Sequence, residues 1–82
     1  MKNFTVYLLI SEKDHRTYLG STDNIERRLH EHNNGKTPST RNRRPFKLIY
    51  EEKFDTLLEA RRRESYLKTR QGRKELKVIF KK

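Results

Sequence analysis

Apolar residues in this chain follow two spacings, and each predicts a kind of element. Phe4 to Ile10 is a nearly unbroken run of β-type residues, the pattern of a strand covered on both faces and therefore central in its sheet. Phe4, Val6, Leu8 and Ile10 share one face; Thr5, Tyr7 and Leu9 share the other. After the polar loop Ser11-Glu12-Lys13-Asp14-His15, Arg16 to Leu19 reads as a second strand, antiparallel to the first as in a hairpin. Gly20 ends it, where the backbone must turn sharply or approach something closely. Phe46, Leu48 and Tyr50 alternate with Lys47, Ile49 and Glu51 and predict a third strand.

The other spacing is helical. Asp23 with Glu26 three residues on fits a capping box, and the helix it opens runs to about His32, stopped by Asn33-Asn34-Gly35. Ile25, Arg28, Leu29 and His32 form its inward stripe, and Arg27 points the opposite way. Thr56-Leu57-Leu58-Glu59 repeats the capping signature and predicts a helix to about Arg70, closed by Gly72. Leu57, Ala60, Glu64 and Leu67 share its inner face, away from Glu59 and Arg62. At the end of the chain, Leu76, Ile79 and Phe80 fit a short helix, which is preferred over a strand at Val78-Ile79-Phe80. Lys36 to Pro45 has no periodicity and reads as a loop carrying Lys36, Arg41, Arg43 and Arg44 between breakers Pro38 and Pro45. The expected class is α+β, a small three-stranded sheet with helices.

Composition narrows the reading. With 82 residues the chain has room for one domain, 1–82, and with 30% hydrophobic residues that domain has a small core. No cysteine is present, so disulfide frameworks and thiolate-held zinc are excluded. His30 and His32 diverge on their helix, and no His-x-x-x-His pair exists, so a histidine zinc site is not expected. No apolar run approaches the roughly 20 residues of a membrane span, and the first residues lead into a strand rather than a signal peptide. A cytoplasmic protein without membrane association is the expectation. Lys and Arg number 21 against 11 Asp and Glu, a net charge of +10, which points to a polyanion, with nucleic acid first.

Two charges stand out because they occupy inward positions. Arg28 and Glu64 sit where amphipathic helices normally carry leucine, and a buried guanidinium costs several kcal/mol by order of magnitude unless an anion meets it. A protein carboxylate or a bound phosphate could do so. With them, Tyr7, Tyr18 and His32 complete a set of candidate chemical residues. Taken singly, each has a packing explanation.

Val6-Tyr7-Leu8, then Tyr18-Leu19-Gly20, then an arginine eight residues after that glycine, resemble the GIY-YIG nuclease domain. That family includes homing endonucleases, some restriction enzymes, a bacterial excision-repair nuclease and small stand-alone bacterial members of similar length. Arg28, His32, Asn33-Asn34-Gly35, and Glu64 followed by Lys68 extend the resemblance over roughly Phe4 to Arg70. It implies a three-stranded antiparallel sheet flanked by helices and DNA phosphodiester hydrolysis with one divalent metal, Mg²⁺ or Mn²⁺. By position it implies Tyr7 and Tyr18 as motif tyrosines, Arg28 on phosphate, His32 as the assisting acid–base residue and Glu64 as metal ligand. Two departures exist: the tyrosine is matched as the central residue of the first tripeptide, and no asparagine follows Lys68.

Lys36, Arg41, Arg43, Arg44 and Arg61-Arg62-Arg63, with Lys68, are expected to hold a nucleic-acid backbone, with affinity that falls steeply with salt and little sequence reading. Branched, nicked or single-stranded DNA is open as substrate, DNA is favoured over RNA, and a protein partner could supply targeting. The alternatives are a basic module that binds nucleic acid and cuts nothing, and a purely structural Arg28–Glu64 bridge.

Overall fold

The computed structural model describes residues 4–80. Three strands, β1 (Phe4–Ser11), β2 (Thr17–Thr22) and β3 (Phe46–Phe54), form one antiparallel sheet in the order β2-β1-β3, so the apolar run of β1 is central as its pattern predicts. Three helices follow the strands' connections: α1 (Ile25–Asn33), α2 (Leu57–Leu67) and α3 (Arg70–Phe80). A 3₁₀ turn at Arg41–Arg43 interrupts the long basic loop.

The two faces of β1 build two cores. Val6 and Leu8 pack with Ala60 and Leu67 of α2 and Leu76 of α3. Tyr7 and Leu9 pack with Phe46 on the other face, and Ile25 and Leu29 of α1 close over them. The sheet therefore lies between α1 on one side and α2 with α3 on the other. A bulge opposite Leu8 and Leu9 leaves Ile49 extra in β3. It moves Tyr50 off the face of Phe46 and Leu48, so Ile49 and Tyr50 both pack with the α2–α3 core. Strict alternation through Tyr50 does not hold for that reason.

Three boundaries differ from the sequence expectation. Asn24, not Asp23, caps α1: its side chain accepts from the Arg27 amide, while Asp23 pairs with the Arg27 guanidinium. Gly20 does not end β2, which runs on to Thr22; of the two roles the residue type suggests, close approach is the one realised. A Cβ there would lie 2.6 Å from the Tyr7 hydroxyl. Gly72 closes nothing. Helix α2 ends at Leu67, Thr69 accepts from the Gly72 amide, and α3 starts, with Gly72 pressed against the last turn of α2 where a side chain would strike Tyr66 and Leu67 backbone. The helical preference at the end of the chain holds, with Leu76 buried; the side chains of Ile79 and Phe80 lie outside the described residues.

Candidate active site

Tyr7 points from the central strand toward α1 and is almost fully buried. Its ladder partner on β2 is Gly20, and the missing side chain leaves the room that the phenol's end fills. There the Tyr7 hydroxyl is 3.2 Å from Nε2 of His32. His32 is fully buried, one turn below Arg28 on the inner stripe of α1, with its ring edge-on to Tyr18 at 5.0 Å and 5.8 Å from the ring of Phe46. Its other nitrogen, Nδ1, is 2.9 Å from the hydroxyl of Thr40, itself buried and within 3.4 Å of the Thr37 carbonyl. Every buried polar side-chain atom among the described residues has a partner.

Arg28 sits beside this chain of groups, half-buried, with Nη1 3.0 Å from Oε1 of Glu31. Burial pushes the Tyr7 hydroxyl above its usual value, and the neighbouring Arg28 guanidinium is the largest influence in the other direction; Tyr18 and Glu64 push it up further. Burial, and then the charge of Arg28, hold His32 below the ordinary histidine value, so it is neutral at pH 7.

Glu64 comes to the cluster from the opposite face. It lies on α2, and its Oε1 accepts from Ser21 at 2.6 Å while Oε2 accepts from Lys68 at 3.0 Å. Ser21 follows Gly20, so the carboxylate reaches the edge of β2 at the point where the strand carries no side chain on the Tyr7 face. The site therefore straddles β2. Arg28 and Glu64 do not bridge each other: Arg28 pairs with Glu31 and Glu64 with Lys68. The purely structural bridge is thereby set aside.

Among the described residues no group of three or more His, Asp or Glu gathers as a metal cage. Glu64, the metal ligand that the sequence suggests, is a hard oxygen donor, 21% exposed, bonded to Ser21 and Lys68. Such a single carboxylate suits Mg²⁺, which keeps several waters and leans on substrate phosphate.

The basic residues divide. Arg61 and Arg62 are exposed and, like Lys36, have no anionic partner among the described residues. Arg41 and Arg44 are exposed, and among the described residues their side chains bond carbonyls alone, of Gly35 and Arg41 respectively. Arg43 is partly committed, 2.9 Å from Asp14 and over the ring of Phe46. Arg63 is not available to a nucleic acid: Glu52 holds it from β3 and Glu75 from α3, and its cation stacks on Tyr66. Its inward angle on α2 puts it between two carboxylates. Thr40 and Ser21 escaped sequence reasoning, because single hydroxyls in a loop and a strand have no periodic signature.

Residues 3–77 match the model of the GIY-YIG catalytic domain. A UPF0213 protein of Staphylococcus saprophyticus is 43% identical over 72 residues, covering 87% of this chain and 88% of its own. One from Staphylococcus haemolyticus is 41% identical over 80 residues, covering 96% of both. The solution NMR structure of a UPF0213 protein from Bacillus halodurans superimposes with a TM-score of 0.56 at 35% identity, covering 94% of this chain and 84% of that one.

Proposed function

The chain belongs to the GIY-YIG catalytic-domain family, and we propose that it is a divalent-metal-dependent endonuclease that hydrolyses DNA phosphodiester bonds with little sequence preference and selects by DNA structure. The observation that carries this reading is the buried hydrogen-bonded pair of Tyr7 and His32 beside Arg28. A phenol ionised to only about 0.1% at neutral pH is a poor base on its own. A neutral imidazole bonded to its oxygen gives its proton somewhere to go.

The direction of transfer follows from Thr40. In this reading its hydroxyl, 3.4 Å from the Thr37 carbonyl, donates there and accepts from Nδ1–H of His32. That tautomer leaves Nε2 bare to accept from Tyr7. A water brought against Tyr7 with the substrate passes a proton to the phenol oxygen as the phenol's own proton moves to His32. The resulting hydroxide attacks phosphorus opposite the leaving 3′ oxygen. Arg28 is a fixed cation aimed at the extra charge on the phosphoryl oxygens. A divalent cation held by Glu64 and the substrate phosphate would add Lewis-acid polarisation of those oxygens. Tyr18 walls the site and keeps the His32 ring in place. Arg41, Arg44, Arg61, Arg62 and Lys36 hold the backbone, which gives affinity that falls sharply between about 50 and 200 mM salt.

One observation favours the rival reading of a binding module that does not cut. Lys68 occupies Oε2 of Glu64, the oxygen a cation would use. Incubation of labelled linear, nicked, branched and single-stranded DNA with Mg²⁺ or Mn²⁺ separates the two. The nuclease cuts at least one of these; the module binds them and leaves all intact.

A further inference from the structure

A second concavity opens on the other side of Tyr18. It is a cleft of about 850 Å³ between the β1–β2 hairpin, the end of α2 and α3. Its floor is apolar, made of the partly buried Leu19 together with the edges of the core residues Leu8, Leu67 and Leu76. Its rim is cationic, with Arg16, Lys68, Arg73 and Lys77, and no carboxylate lines it. Among the described residues, Arg16, Arg73 and Lys77 have no anionic partner, in contrast to Arg27, Arg28 and Arg63. Tyr18 and Lys68 belong to both places. Tyr18 faces His32 at one edge and lines the cleft at another, and Lys68 holds Glu64 while it stands on the rim.

Resting on the reading of this protein as a nuclease, we infer that the cleft takes an unpaired nucleotide next to the scissile phosphate. An intact duplex offers neighbouring surfaces its backbone and the base edges in its grooves, but keeps its base faces stacked away from an apolar floor. A base that has left its stack has two apolar faces, and its phosphate suits a cationic rim. The floor pays for a flat apolar group, the rim for the charge attached to it, and Tyr18 offers an aromatic surface where the two sites meet. The volume lies in the range of pockets that enclose small organic groups. The substrate is then DNA with a single-stranded element at the cut: a tail, a flap or a frayed junction.

The test is binding, without metal, of a fluorescent blunt duplex and of the same duplex with a short unpaired tail. The proteins are the wild type, Arg73→Glu/Lys77→Glu, and Lys47→Glu/Lys53→Glu, which makes the same charge change on β3. All four positions are exposed and outside the catalytic cluster. The expected result is tighter wild-type binding to the tailed duplex, lost about tenfold when the tail bases are replaced by abasic sites. That preference disappears in the α3 variant and persists in the β3 variant. Equal weakening on both duplexes by both variants would mean a general electrostatic surface and overturn the inference. So would a tail preference that survives in the α3 variant. Because binding is read without cleavage, absence of nuclease activity would sink the catalytic reading while the cleft is still judged on its own result.

Discussion

Arg28 and Arg63 lie on helices packed against opposite faces of one sheet, and both are partly sheltered from water. What differs is who answers their charge. Arg63 is gripped by Glu52 and Glu75, and Tyr50 bonds Glu52 in turn, so two helices and a strand are tied through one guanidinium. These contacts hold Glu52 and Glu75 below the usual carboxylate range. Arg28 has one carboxylate, Glu31, on its own helix, and otherwise faces a phenol and a neutral histidine. The first arginine holds the fold together. The second is paired once, within its own helix, and in the proposed function it is the one that meets an anion from outside.

The largest effect should come from breaking the open site. Glu64→Ala is expected to lower the cleavage rate about a thousandfold, measured in single-turnover assays with Mg²⁺, with the fold intact. Next comes Gly20→Ala. The new methyl group would sit 2.6 Å from the Tyr7 hydroxyl and must push it off His32. A loss of about a hundredfold in rate is expected, with circular dichroism unchanged.

The closed site should answer in stability instead. Arg63→Ala leaves Glu52 half-buried without its partner and should cost about 2–3 kcal/mol in urea denaturation. The smallest effect tests the proton path. Thr40→Val should slow cleavage about tenfold at neutral pH and Thr40→Ser should restore it. In the wild type the acid limb of the rate profile should fall below pH 6.5, since His32 stays neutral to lower pH than a free histidine. Stability has the same sign. The unfolded chain takes up this proton at about 6.5, before the folded one does, so stability declines as pH drops from 6.5 through the folded value. A His32→Asn variant should show a flatter decline in that window by denaturation.

Much of this was legible in the sequence, because periodicity reports burial. The central strand, the two inward charges and the tyrosine pair all stand at positions set by a spacing of two or 3.6. What the sequence hid depends on contacts between distant segments. The bulge beside Ile49 is a property of the pairing, not of β3 alone. Gly20 and Gly72 read as turn residues, but both are glycines because another segment passes too close for a Cβ. Arg61-Arg62-Arg63 looks uniform, and only the neighbours Glu52 and Glu75 separate its last member from the others. Asn24 and Asp23 are both good caps, and local sequence does not choose between them.

The claim that one arginine serves chemistry and the other serves structure is tested most directly by measuring cleavage rate and urea stability together in Arg28→Ala and Arg63→Ala. The expected result is a crossed pair. Arg28→Ala loses about a hundredfold or more in rate and about 1 kcal/mol or less in stability, while Arg63→Ala loses stability and keeps its rate under conditions where it is folded. An Arg28→Ala protein that cleaves like wild type, or one that is destabilised as much as Arg63→Ala, would contradict it.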